Sequence, residues 1–195
     1  MFNVGDKVVY PMYGAGTIDS IDKKNILDEE VEYINMLMPG GVKVMVPSNQ
    51  ATNQGLRNII SKDDVEKVFC ILENDETEMS DNWNKRYRDN MEKMKSGDIY
   101  EVADVVRNLS FKQKEKGLST GEKKMLNHAK QILVSELVLV ENATDTEMQK
   151  LIDNKIDVSF KENRSNEGIE NEISTNNIVN KFIPFTSEST GTSQD

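Results

Sequence analysis

Trp83 is the only tryptophan in the chain, and it stands in the run Asp81-Asn82-Trp83-Asn84-Lys85-Arg86-Tyr87-Arg88. Further cations follow at Lys93, Lys112, Lys114, Lys116, Lys123, Lys124 and Lys130. A planar ring beside Lys and Arg is a residue set that can contact phosphates and stack on, or wedge against, a base. Residues 83–130 hold 12 Lys or Arg against 7 Asp or Glu, a local balance of +5 in a chain whose formal net charge is −10. The net charge taken alone argues against a nucleic-acid partner, but a local field decides what docks where. An excess of five implies weak, salt-sensitive binding and not a tight autonomous DNA binder. Two bland readings stay open on the same residues. The cations can be a solvated face, and Trp83, which starts an apolar stripe with Tyr87, Met91 and Met94, can be core.

Other chemistry lacks its parts. One Cys (Cys70) and one His (His128) leave no soft-ligand zinc site and no disulfide framework. Cys70 lies among Val68, Phe69, Ile71 and Leu72 and reads as a buried small hydrophobe. His128, beside Asn127 and Lys130, reads as an exposed structural histidine. Gly14-Ala15-Gly16 and Gly40-Gly41 lack the third glycine or the Lys-Ser/Thr of a phosphate loop. Asp28-Glu29-Glu30 is a charge run in a connecting loop, read as solvated surface and not a metal site. The expectation is therefore a protein that is not an enzyme and carries no cofactor or metal. No apolar run approaches the roughly 20 residues that span a bilayer, and Met1-Phe2-Asn3-Val4-Gly5-Asp6 lacks the plan of a signal peptide. These features predict a cytoplasmic protein without membrane contact.

The elements that would position Trp83 fall into two kinds. Residues 1–72 read as short strands with glycine turns, ending in a helix that starts at Ser61. Val8-Val9-Tyr10, Thr17–Ile21, Val31–Met38, Val42–Val46 and Leu56–Ile60 are the strand candidates, with Pro39-Gly40-Gly41 as a reversal. The period of two in Val42–Val46 puts the valines on one face and Lys43 and Met45 on the other. Five such strands predict a small antiparallel β-barrel of SH3 or Tudor type, any open edge of which can pair with a partner strand. Residues 73–80 are acidic and read as a linker. From 81 to 160 the period becomes 3.6, with cap signals at Ser80 or Asp81, at Asp98, at Ser119 with Glu122, and at Thr144 with Glu147. These predict an antiparallel helical bundle, so that the fold class is a two-domain α+β protein. Residues 161–195 are Asn, Ser, Thr and Glu with a Phe182–Phe185 patch, incidental or a docking segment; they predict a disordered polar tail. On the bundle the candidate DNA-contacting residues are Trp83, Lys85, Arg86, Arg88, Lys112, Lys123 and Lys124.

Several runs carry a resemblance over about residues 1–142. They are Val4-Gly5-Asp6-Lys7-Val8-Val9-Tyr10-Pro11 with Gly14-Ala15, Asn82-Trp83-Asn84-Lys85-Arg86-Tyr87, and Ser96-Gly97-Asp98. Val102–Leu109, Gly117–Leu126 and Ala129–Leu137 extend it. In these the chain resembles the CarD/CdnL family of bacterial RNA-polymerase-binding transcription regulators. The resemblance implies that the N-terminal domain binds the polymerase β subunit by edge-strand pairing. It implies further that the helical domain lies on promoter DNA at the upstream edge of the bubble, with Trp83 as a minor-groove wedge that hinders bubble closure. Arg88 and Lys123 match the family's DNA-backbone cations, and Lys24 a polymerase-contacting position. Met45, just before Val46-Pro47, stands where a member of the family has arginine, and Lys43 on the same strand face is placed to substitute. The polymerase-facing set is thus Lys24, Lys43, Met45 and Pro47. The implied protein is a monomer when free and joins the nucleoid through polymerase. The second reading is a polymerase-docking adaptor or competitor without DNA chemistry of its own.

Overall fold

Alternation of apolar and polar residues builds the N-terminal sheet from five strands as expected, with β2 longer and β5 shorter than the pattern indicates. The computed structural model describes residues 2–26 and 29–179, with side chains for residues 2–25 and 29–165. The strands are β1 (Lys7–Tyr10), β2 (Gly14–Ile26), β3 (Glu29–Leu37), β4 (Lys43–Pro47) and β5 (Arg57–Asn58), all antiparallel. Their order is β4-β3-β2-β1-β5. A register shift between Ile18 and Ser20 bends β2 against β3. One face buries Val8, Ile18, Ile34, Met36, Met38, Val46, Ala51 and Leu56 as a small separate core. On β4, Val46 is buried and Lys43 and Met45 are exposed, as the period of two requires.

The sheet is open, and the expected Tudor/SH3-like barrel is corrected. Closure requires β4 to pair with β5. Between them the chain leaves extended geometry in a 3-10 turn at Ser48–Gln50, and β5 is only two residues long and is held by β1. Ala51 and Leu56 then cap the core as loop side chains, so the apolar face is covered without closing the sheet.

Five helices follow: α1 (Lys62–Glu73), α2 (Trp83–Lys95), α3 (Ile99–Glu115), α4 (Thr120–Glu141) and α5 (Asp145–Val179). Their starts follow cap chemistry. Ser61 precedes α1, and Asp98 accepts from the Tyr100 N–H. Ser119 and Thr144 each close a capping box with the glutamate three residues on. Asn82, and not Ser80 or Asp81, caps α2 by accepting the Lys85 N–H. Helix α3 is the central element, buried from Val102 through Phe111. Val65, Val68, Phe69 and Leu72 of α1 join its core, together with Leu133 and Leu137 of α4 and Met148, Ile152 and Ile156 of α5. Cys70 points the other way and is exposed, because residues 68, 69 and 72 define the inward face of α1.

The segment expected as a solvated linker is pinned to α3. Thr77 donates its N–H to Asn108 Oδ1 (3.1 Å) and its hydroxyl to Asp104 (3.0 Å). Asp104 also holds Arg107 and Lys93, and Arg107 donates to the Ile71 carbonyl at 2.9 Å. Helix α5 continues to Val179, past residue 161 where a disordered tail was expected. A polar composition precludes a packed core but not a helix, and Gly168 is the only strong helix breaker between Asp145 and Val179. The Phe182–Phe185 patch lies outside the described residues.

Within Met1–Phe160, which forms one compact unit, side chains lock the sheet to the helices. Arg57 of β5 forks onto Glu136 of α4 at 2.7 and 2.9 Å, and Glu136 also accepts the Ile60 N–H at 2.9 Å. Arg57 Nε–H donates to the Gly97 carbonyl (2.8 Å). Ala15 N–H donates to Ser135 Oγ (2.8 Å), Lys7 to the Leu139 carbonyl (2.7 Å) and His128 Nε2–H to the Met12 carbonyl (2.7 Å). His128 is thus half-buried in the junction and not a free surface histidine. Gly97 ends α2 with φ +74°, and a Cβ there would lie 2.9 Å from Pro11 Cγ. Gly97→Ala should therefore cost about 1–2 kcal/mol from left-handed strain alone, read as a lower denaturant midpoint with an unchanged m-value.

Candidate nucleic-acid interface

Two helix starts meet at Trp83. Helix α2 begins with it and α4 begins two residues beyond Leu118, whereas Lys112 and Lys116 at the end of α3 line a cavity with Arg86 and the 76–81 segment. The Trp83 ring stacks on Tyr87 (centroids 5.4 Å apart, 28° between planes), and its Nε1–H donates to Ser119 Oγ at 3.0 Å. A Cβ at Gly121 would lie 3.5 Å from Trp83 Cζ2, so that edge of the indole rests against the first turn of α4. The ring is therefore held on one edge and one face. Trp83 remains 44% exposed. It is neither core nor loose.

The buried side of α2 is built from Arg86, Asn90 and Met94; of the stripe that Trp83 begins, Met94 alone is fully buried, while Tyr87 and Met91 pack half-buried against the core. Arg86, expected among the phosphate contacts, is only 7% exposed. Its Nε and Nη2 both meet Glu122 Oε1 at 2.8 Å, and its Nη1 donates to the Ser80 (2.7 Å) and Asp81 (3.2 Å) carbonyls. Glu122 Oε2 accepts the Ser119 hydroxyl (2.7 Å) and backbone N–H (3.0 Å). A continuous polar chain thus runs from Arg86 through Glu122 and Ser119 to the indole. Arg86 faces into this chain because its guanidinium fork has a buried carboxylate to satisfy.

Burial pushes the Glu122 carboxyl up, but the hydrogen bonds from Ser119 and the Arg86 guanidinium outweigh it and leave the group below its ordinary 4.5. A carboxylate lowered on folding stabilises above its unfolded value, and that contribution is lost as pH falls through the lowered one. Trp83 emission should accordingly stay flat over about pH 5–8 and change only below pH 4.5, checked by fluorescence titration.

The remaining predicted cations divide cleanly. Lys85, Arg88, Lys123 and Lys124 are exposed and Lys112 is half-buried; among the described residues none of them makes an ion pair. Lys93, Arg107, Lys114 and Lys130 are engaged with Asp104, Asp104, Asp157 and Asp153. Lys85 and Arg88 lie on α2 and Lys123 and Lys124 on α4, the two helices whose first turns hold the indole, and the two helix N-termini add positive potential there. That arrangement suits phosphates near an apolar plate. What spacing did not reveal is the framework behind the ring. Ser119 and Glu122 were legible only as a capping box.

Within the sheet, β4 is an edge strand. Met38 N–H donates to the Val42 carbonyl (2.8 Å), and Met36 faces Val44 and Asn35 faces Met45. Ladder alternation then aims the backbone groups of Lys43 and Met45 away from β3, toward the open edge. Pro47, which has no N–H to offer, occupies the next such position. Lys24 on β2 reaches across Tyr33 (5.8 Å to the ring centroid) to Met45 Sδ (3.0 Å), which joins two of the predicted polymerase-facing residues. Lys43 lies 3.8 Å from Asp19 and Met45 is 46% exposed.

Among the described residues no helix is long and apolar enough to cross a membrane, and no group of three or more His, Cys, Asp or Glu could hold a metal ion. The family model "CarD-like/TRCF RID domain" matches residues 2–60, and "CarD, C-terminal domain" matches residues 67–153. The chain is 35% identical over 150 residues to a putative transcription factor, YdeB, of Bacillus subtilis (strain 168), covering 76% of this chain and 98% of that protein. The solution structure of the 72-residue N-terminal domain of Myxococcus xanthus CarD is 32% identical, covers 30% of this chain and 79% of that one, and superposes with a TM-score of 0.27. The chain belongs to the CarD family of transcription regulators, a family without catalytic chemistry.

Proposed function

We propose that this protein docks on the β subunit of bacterial RNA polymerase through β4 and stabilises open promoter complexes through its helical bundle. Trp83 is the wedge at the upstream edge of the bubble, and Lys85, Arg88, Lys112, Lys123 and Lys124 hold the flanking phosphates. The observation that carries this reading is the half-exposed indole, fixed in place at the first turns of two helices that carry exposed cations. Five net positive charges give little affinity alone. Docking by the sheet supplies the rest, because a tethered module meets its second site at high effective concentration. The wedge acts by differential affinity for open over closed DNA.

The reading is tested at the sheet edge. Met45→Pro removes an outward N–H that β3 does not use, so the fold should hold while strand pairing with a partner fails. Polymerase pull-down should be lost with little change in thermal midpoint; retained capture would reject docking through β4. The adaptor reading, in which the chain only occupies a polymerase site, is disfavoured by the exposure of Trp83, since an adaptor has no use for a fixed, open indole.

A further inference from the structure

The chain contains the same capping box twice. At Ser119–Glu122 and at Thr144–Glu147 the three hydrogen bonds have the same lengths: 3.0, 2.7 and 3.3 Å. Everything else about them differs. Glu147 is exposed, and its box does nothing beyond starting α5. Glu122 is buried, takes both Nε and Nη2 of Arg86, and leaves Ser119 Oγ as acceptor for an indole 36 residues away in sequence. Capping a helix requires none of these additions, as α5 demonstrates.

We propose that Ser119 is a positioning residue for Trp83, backed by Glu122 and Arg86, so that the wedge is presented in one rotamer before DNA arrives. The inference rests on the wedge reading of Trp83. Its physical content is pre-organisation: an exposed ring on a first helical turn would otherwise lose rotamer freedom on binding. The Ser119 hydroxyl has one proton and two acceptor positions. The proton goes to Glu122 Oε2, and the acceptor positions take the Glu122 N–H and the Trp83 Nε1–H, so no alternative orientation competes. Arg86 is reassigned with it. It acts through Glu122 on the ring and not on phosphate.

The test uses the full chain and its sole tryptophan. Ser119→Gly keeps a tolerated N-cap residue, at a cost of only a few tenths of a kcal/mol, but removes the hydroxyl; Ser119→Thr keeps it. Thr144→Gly makes the same change in the matched box. In the free protein, Ser119→Gly should raise acrylamide quenching of Trp83, while Ser119→Thr and Thr144→Gly remain as wild type. With polymerase and promoter DNA, Ser119→Gly should shorten the protein-dependent open-complex lifetime about 2- to 10-fold, with Ser119→Thr restoring it. Arg86→Gln, which removes the charge, should leave the salt slope of binding unchanged, whereas loss of a phosphate contact would lower it by about one. Unchanged quenching in Ser119→Gly, raised quenching with unchanged lifetime, or failure of Ser119→Thr to rescue would each overturn the positioning role. A wild-type chain that does not lengthen the lifetime overturns the wedge reading instead, and the quenching of the free protein still reads the Ser119–Trp83 contact by itself.

Discussion

Trp83→Ala should leave polymerase capture at the wild-type level and shorten the lifetime of the open promoter complex roughly 5- to 150-fold, corresponding to about 1–3 kcal/mol of coupling between protein and open DNA. The separation follows from where the ring sits. Trp83 belongs to the α2–α4 corner, whereas the strand edge at Lys43–Pro47 is built on β3, so truncating the indole removes no contact of the sheet. Nor should the fold suffer much, since the ring is 44% exposed and its losses are the Tyr87 stack and one hydrogen bond. Stacking of this kind contributes about 0.5–1.5 kcal/mol. Lifetime is measured by competitor challenge of preformed complexes. A lifetime unchanged by the substitution would remove the wedge from the mechanism and leave only docking.

The second large effect lies at the junction between sheet and bundle. Arg57→Ala should destabilise the protein by about 3–5 kcal/mol, the loss expected when one partner of a buried, bidentate pair is removed. The Glu136 side chain is 1% exposed, so its carboxylate would be left in the interior with only the Ile60 N–H as donor. Arg57 itself is about one-third exposed, which favours the lower end of that range. At roughly 2–4 °C per kcal/mol for a chain of this size, the thermal midpoint should fall by about 6–12 °C. The double change Arg57→Met with Glu136→Leu should recover part of the loss, because it removes both charges at once, but the Ile60 N–H would still lack its acceptor. The effect also bears on function. Arg57 binds Gly97 at the α2–α3 turn as well as α4, so the clamp sets how α2 and Trp83 are held relative to the docking strand. Weakening it should reduce open-complex lifetime without reducing polymerase capture, which distinguishes it from a defect at β4.

Helix starts and the inward faces of α1, α3 and α4 were legible in the sequence because their physics is local. A cap residue acts within three positions of itself, and a 3.6-residue period marks one face wherever it occurs. Ser119 with Glu122, Thr144 with Glu147 and Asp98 all cap the helices they announce. The alternation that exposes Lys43 and Met45 on β4 is local too. Sheet closure is not. Whether five strands meet as a barrel depends on the path of residues 48–56, where no pattern distinguishes a connecting strand from a turn that caps the core.

The residue types around Trp83 and their charge balance are properties of the sequence itself, as is the family to which the chain belongs. They establish that a ring and a set of cations share a stretch of helices. Tertiary structure alone decides which of them are free. Arg86 and Arg88 differ by two positions, yet one is buried against Glu122 and the other is exposed, because 100° per residue separates their directions and a carboxylate from another helix waits on one side only. The same holds for Trp83. Its place at the head of an apolar stripe is compatible with core, and the ring stays open only because Ser119, 36 residues away, takes its N–H and holds one edge at the surface. Contacts across such separations are made by packing, and no spacing in the sequence encodes them.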